Sequence, residues 1–129
     1  MQRFKTRPQF QAALAGGLIA KSPHFALHRV ELDAPAHAGS PGMFSVNDTW
    51  MGAMVPKRWA KRAVTRNAIK RQIYTVSSSL QHDLPRAAFL VRLRREFSRQ
   101  EFASASSPAL KDAARTELLA LMQALKIAA

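Results

Sequence analysis

The chain has 129 residues, the size of one ordinary domain, and its 47% of apolar residues suffice for a real core. Twenty Lys and Arg face eight Asp and Glu, a net charge of +12, which points to a polyanionic partner: nucleic acid or an anionic membrane surface. Cysteine is absent, which excludes disulfides, thiolate catalysis and Cys-based zinc sites, and no apolar run reaches the roughly 18 residues of a membrane span.

In chain order, MQRFKTRPQF lacks the apolar core of a signal peptide, so a cytoplasmic protein is expected. Residues 6–17 predict a short helix. Thr6 and Gln9 have the spacing of a capping box, and Pro8 fits a first turn. Phe10, Ala13 and Leu14 share one face, and Gly16-Gly17 provides a stop. HFALHRVEL, residues 24–32, predicts a strand, and residues 33–42 a Pro/Gly/Ser loop. Residues 50–55 are apolar on both alternating faces, which predicts a central strand, with a short strand before it near 44–46.

A helix follows over residues 60–81. It takes in most of KRWAKRAVTRNAIKR, residues 57–71, which holds seven basic residues and no acid. Ile69, Ile73, Val76 and Leu80 make one buried stripe, while Asn67, Lys70, Arg71 and Tyr74 cluster on the opposite side. Lys61 and Arg62 sit in the first turn, where the helix dipole disfavours a cation by roughly 0.3–1 kcal/mol. A solvated face would mix signs. A membrane helix would show its apolar stripe to lipid, but here that stripe is needed to cover a sheet. Arg has a planar fork that matches phosphate oxygens, and Asn can pair with a base edge or a 2′-OH, so RNA is the expected partner.

Pro85 marks the helix exit. Residues 87–95 predict a strand with Phe89, Val91 and Leu93 on one face and Arg92 and Arg94 on the other. Pro108 opens a last helix with Leu110, Ala114, Leu118, Leu121 and Leu125 as its stripe. There is no internal repeat, so residues 1–129 read as one domain. The order α-β-β(-β)-α-β-α predicts an α+β fold, with helices packed on a small, mostly antiparallel sheet of three to four strands.

The block VPKRWAKRAVTRNAIKRQIY resembles the signature of the bacterial ribonuclease P protein subunit family, a basic pair after a strand and then Arg-Asn-x-aliphatic-Lys-Arg. The matching pieces are Lys57-Arg58, Arg66-Asn67, Ile69 and Lys70-Arg71. Length, charge, element order and Phe10 agree over about residues 3–125, but only residues 55–74 are highly specific. Two positions depart from the family pattern: Ala68 and Tyr74 stand where Arg is common.

The resemblance implies a protein that joins a large catalytic RNA, the pair removing the 5′ leader from precursor tRNA. The RNA would perform the hydrolysis with Mg²⁺, which it would mainly bind itself. It also implies a left-handed β-α-β crossover around the basic helix. Lys57, Arg58, Arg66, Asn67, Lys70 and Arg71 would face the catalytic RNA, with Lys61 and Arg62 able to take over contacts missing at the departures. A cleft between the first helix and the sheet would take the leader, with Phe10, Phe25 and His28 against bases and Lys5 and Arg7 near phosphates. Phe10 and Phe25 have ordinary core positions as their rival reading. The protein alone is expected to be a monomer with no membrane partner.

No catalytic residue and no protein metal site are expected. His24 and His28 would be about 13 Å apart on a strand, too far for one ion, and His37 lies in a loop. Asp48 and Asp83 are isolated in sequence. Trp50 reads as core and Trp59 as a residue that could stack on RNA. Arg92, Arg94 and Arg95 either extend the positive surface or line a solvated edge strand. The nearest rival function is a small basic ribosomal protein with a structural role. A DNA-binding regulator would need two short helices joined by a tight turn, and a protein nuclease would need clustered carboxylates or histidines.

Overall fold

The structure is a computed structural model that describes residues 1–32, 44, 48–98 and 107–128, with side chains to residue 123. The elements are β1 (Gln2–Arg3), α1 (Arg7–Ala15), β2 (Gly17–Lys21), β3 (Phe25–Val30), β4 (Trp50–Met54), α2 (Ala63–Ser79), β5 (Ala88–Leu93) and α3 (Pro108–Ala128). The loop 33–42 with His37, and the strand expected near 44–46 apart from Phe44, lie outside the described residues, as does the side chain of Leu125.

The α+β class stands, but the sheet has five strands in the order β1-β4-β5-β3-β2. It is evenly mixed: β1–β4 and β4–β5 are parallel, β5–β3 and β3–β2 antiparallel. The two strands beyond expectation are the edges. β1 is two residues long, and β2 is mostly exposed and carries a bulge between Leu18 and Ala20. β5 lies in the middle, so Arg92 is not on an edge strand.

Both sheet faces are covered. Phe89, Val91 and Leu93 of β5, Met51 and Ala53 of β4, and Phe25 and Leu27 of β3 pack against Ile69, Ile73 and Val76 of α2 and Leu110, Ala114, Leu118 and Met122 of α3. The alternate residues Ala88, Leu90 and Trp50 face α1 and pack with Phe4, Ala13 and Phe44. Period-two alternation across a twice-covered sheet explains why β5 is buried at every position but Arg92. Ile73 is fully buried between the layers; truncating such a side chain to Ala costs about 2–5 kcal/mol.

The local signals explain α1. Thr6 is its N-cap: Gln9 N–H donates to Thr6 Oγ1 at 3.4 Å, and Gln9 Oε1 accepts from Thr6 N–H at 3.0 Å, a complete capping box. The helix stops at Gly16 for a reason other than left-handed backbone, since Gly16 has φ −69°. A Cβ there would lie 2.8 Å from the carbonyl oxygen of Arg29, so glycine lets the helix end press against β3. At the far end of the chain, Ser107 Oγ accepts from Leu110 N–H at 3.1 Å and caps α3.

Candidate nucleic-acid interface

α2 presents the basic block. Its inner stripe anchors it to the sheet, while Leu80 is only partly buried. Ser77, fully buried, returns its hydroxyl to Ile73 C=O at 2.5 Å and so needs no outside partner. The outer side is not flat. Arg3, Asn67, Lys70, Arg71, Tyr74, Thr75 and Ser78 line a groove of about 660 Å³. Three of these seven are cations and none is an acid, so the groove has the sign of a phosphate-binding surface. Three of the sequence-expected residues, Asn67, Lys70 and Arg71, therefore meet in one depression. Arg3, on β1, was not among the expected residues; it belongs to the groove only because β1 pairs with β4.

Ahead of α2, Lys57, Arg58, Lys61 and Arg62 are all exposed. Arg58 lies over the Trp59 ring at 5.2 Å, and Trp59 packs partly buried on the core. Its buried Nε1 has no hydrogen-bond partner among the described residues. No side chain caps the amino end of α2, and Arg62 is its N-cap residue. Arg66 turns back on this entry turn: its Nη1 donates to the carbonyls of Ala60 at 3.1 Å and Lys61 at 2.8 Å. That clamp gives Arg66 a structural duty. Ala68, where the family pattern commonly has Arg, is 5% exposed.

The α1 side is different in kind. Lys5 and Arg7 are exposed, as expected for phosphate contacts. Phe10 is half-buried and packs edge-on against Phe4 with 5.2 Å between centroids. Leu14 is exposed at 38%. His28 is buried on the α1 face of β3, and Arg92 Nε approaches its Nε2 at 3.5 Å. Burial first, and then the charge of Arg92, hold the His28 imidazole below its ordinary pKa, with the Gly16 backbone opposing weakly. Its buried Nδ1 makes no hydrogen bond of good geometry among the described residues.

Phe25 must be corrected. It is fully buried on the α2–α3 side of β3, the opposite face from α1, so no base can reach its ring. It is core. Trp50 is core too, on the α1 side. Arg94 donates through Nη1 to the carbonyls of Ser22 at 2.8 Å and Pro23 at 3.2 Å, which ties the β2–β3 turn.

The two histidines four residues apart have separate fates. His24 is in the turn before β3, stacks on Phe97 at 4.0 Å and pairs through Nδ1 with Glu117 Oε1 at 2.7 Å. Asp48 is also engaged, with the terminal ammonium of Met1 at 3.1 Å and Thr49 N–H at 2.7 Å. The ammonium first, then Thr49, hold the Asp48 carboxyl below its usual range.

The family model described as Ribonuclease P matches residues 1–117. The ribonuclease P protein component of Trichormus variabilis is 35% identical over 95 residues, 67% of this chain and 66% of that protein. The chain thus spans just under two thirds of that relative's length. The ribonuclease P protein component of Ralstonia pickettii is 31% identical over 122 residues, 94% of this chain and 76% of that one. Among solved structures, the Staphylococcus aureus RNase P protein superposes with a TM-score of 0.69 at 18% identity, covering 98% of this chain and 97% of that one. That likeness is one of fold.

Proposed function

We propose that this chain, which belongs to the ribonuclease P protein family, acts as the RNA-binding protein subunit of ribonuclease P. In this reading it assists a catalytic RNA in endonucleolytic removal of the 5′ leader from precursor tRNA. The observation that carries it is the groove on the outer face of α2, in which Lys70 and Arg71 flank Asn67 with no acid among the lining residues. Such an array engages a phosphate backbone and its 2′-hydroxyls by shape and charge, suited to a folded RNA more than to one sequence.

The α1 side takes the single-stranded leader. Phe10 offers a half-buried ring, and Lys5 and Arg7 offer charge; stacking plus backbone attraction tolerates the varied sequences of leaders. Mature and precursor tRNA share a body, so a protein that binds the leader favours substrate over product. Mg²⁺ serves the holoenzyme in this family reading. Among the described residues no three His, Asp or Glu side chains converge. No step of the reaction is assigned to the protein.

The test is to purify the protein with its RNA and sequence that RNA, then to reconstitute cleavage. A large structured RNA and precursor tRNA cleavage that needs both components and Mg²⁺ are the expected results. Ribosomal RNA alone, or cleavage by rigorously RNA-free protein, would overturn the reading.

A further inference from the structure

We propose that Arg3, seated on the ring of Tyr74, is a phosphate-contacting residue of the α2 groove, so that the RNA-binding surface crosses from the helix onto the first strand. The proposal rests on the RNA-binding reading above and names a contact that the basic block does not contain. Its basis is geometric. The Arg3 Cζ lies 4.1 Å from the Tyr74 ring centroid, and both residues line the groove with Lys70 and Arg71. A guanidinium that rests its face on an aromatic ring keeps its N–H groups in the plane, pointing outward, where they match the oxygens of a phosphodiester. No acid pairs with Arg3 among the described residues, so its donors are not consumed by the protein.

The position of Arg3 is fixed before RNA arrives. Gln2 N–H donates to Thr49 C=O at 2.9 Å and Phe4 N–H to Met51 C=O at 3.1 Å, which clamps the backbone on both sides of it. The neighbouring Phe4 ring lies so close over Gly52 that a Cβ there would come within 2.5 Å of it. The terminal ammonium pairs with Asp48, and Gln2 Nε2 donates to the same carboxylate at 3.3 Å. An arginine held this way loses little freedom on binding. Tyr74 stands where the family pattern commonly has a basic residue; the guanidinium above its ring returns a cation to that place. The ligand chemistry is the phosphodiester backbone of a folded RNA, with the Thr75 and Ser78 hydroxyls available to its remaining oxygens.

The experiment measures affinity of the full chain for a transcribed ribonuclease P catalytic RNA across a KCl series at fixed Mg²⁺. Five variants are compared with the parent: Arg3→Gln, Tyr74→Leu, the two combined, Tyr74→Phe, and Lys70→Gln as the marker of the helix face. Leu keeps the apolar packing of Tyr74 on the core and removes the π face. Arg3→Gln is expected to lower the log–log salt slope by roughly 0.7–0.9. Tyr74→Leu is expected to cause a similar loss by unseating Arg3, with Tyr74→Phe rescuing it. The double variant is expected to be no worse than the stronger single one, as for two residues acting as a unit. If Lys70→Gln lowers the slope and Arg3→Gln does not, the Arg3 contact is wrong and the RNA-binding reading stands. If neither lowers it, the RNA lies elsewhere and both fail. If Arg3→Gln lowers it but Tyr74→Leu does not, or the double loss is additive, Arg3 is not seated on Tyr74 and the arrangement is overturned. Thermal melting of each variant confirms that a folded chain is being compared.

Discussion

The two surfaces proposed for RNA are built on opposite principles. The outer face of α2 is a display: an apolar stripe holds the helix down, and whatever is left points out, charged and open. The α1 side is a seam, in which half-buried Phe10, buried His28 and partly buried Arg92 are both packing and prospective contacts. On the display, a residue can change with little effect on the fold. In the seam, stability and recognition are carried by the same atoms. The contrast teaches where mutagenesis will give a clean answer and where it will need a control.

The largest expected effect comes where the two surfaces meet. Gly52→Ala forces the Phe4 ring from its seat, and overpacking of this sort costs about 1–3 kcal/mol. Because Phe4 touches Phe10 on one side and follows Arg3 on the other, precursor binding and catalytic-RNA binding should both weaken. A denaturant midpoint and two binding curves would show it. Loss of only one would mean that the surfaces are independent.

Phe10→Ala tests the seam alone. It should weaken binding of precursor tRNA by about 1–3 kcal/mol, the worth of one base stacked on an aromatic ring, and leave mature tRNA affinity nearly unchanged. Phe10→Leu is the control, since it retains most of the packing against Phe4 without a stacking face. If the Leu variant binds precursor as well as the parent, Phe10 is only packing.

Arg66 and Lys70 divide the display. From the sequence, replacing both should hold or raise thermal stability by relieving like-charge repulsion. The clamp of Arg66 on the Ala60 and Lys61 carbonyls changes that expectation for one of them. Arg66→Ala should lose about 1 kcal/mol of stability. Lys70→Ala should stay within about 0.5 kcal/mol of the parent and lower the RNA salt slope by roughly 0.7–0.9. Chemical unfolding of the two single variants is the check; equal stability would dissolve the distinction.

The smallest effect is a pH dependence in the seam. His28 has a folded pKa below its ordinary value, so the unfolded chain takes up a proton that the folded chain refuses. Its contribution is complete above the unfolded value of about 6.5, declines as pH falls through it, and levels off below the folded value. The unfolding midpoint of the parent should therefore fall further between pH 7 and 5 than that of His28→Gln. Parallel curves would remove His28 from the account.

What could be read from the sequence follows the range of the signal. The stripe of α2, the Thr6–Gln9 box and the Pro108 start of α3 are written within a few turns of chain, and the structure has them. Asn67, Lys70 and Arg71 were legible for the same reason, because a helical period fixes a common face. β1 was not, since two residues become a strand only by pairing with β4, nearly fifty positions away. β2 was missed because it is mostly exposed and its bulge breaks the alternation. The misplacement of Phe25 has a third cause. Phe25 and His28 are three positions apart on one strand and so point to opposite faces, which the assignment of both to one cleft overlooked; with both faces of β3 covered, the pattern also does not show which helix lies on which side. The clamp made by Arg66 could not be read because its acceptors lie in a turn with no periodic signature.

β1 places consecutive residues on opposite sides of the sheet, Arg3 over Tyr74 and Phe4 under Phe10. A strand this short opens as one piece, so the amide hydrogens of Gln2 and Phe4 should exchange with solvent in a single local event. That event withdraws a cation from one surface and a supporting ring from the other together. Under the proposed reading, RNA that grips Arg3 disfavours the opening and so keeps Phe10 propped for the leader. Linkage makes the effect mutual: a leader that presses Phe10 onto Phe4 strengthens the hold on the catalytic RNA by the same factor.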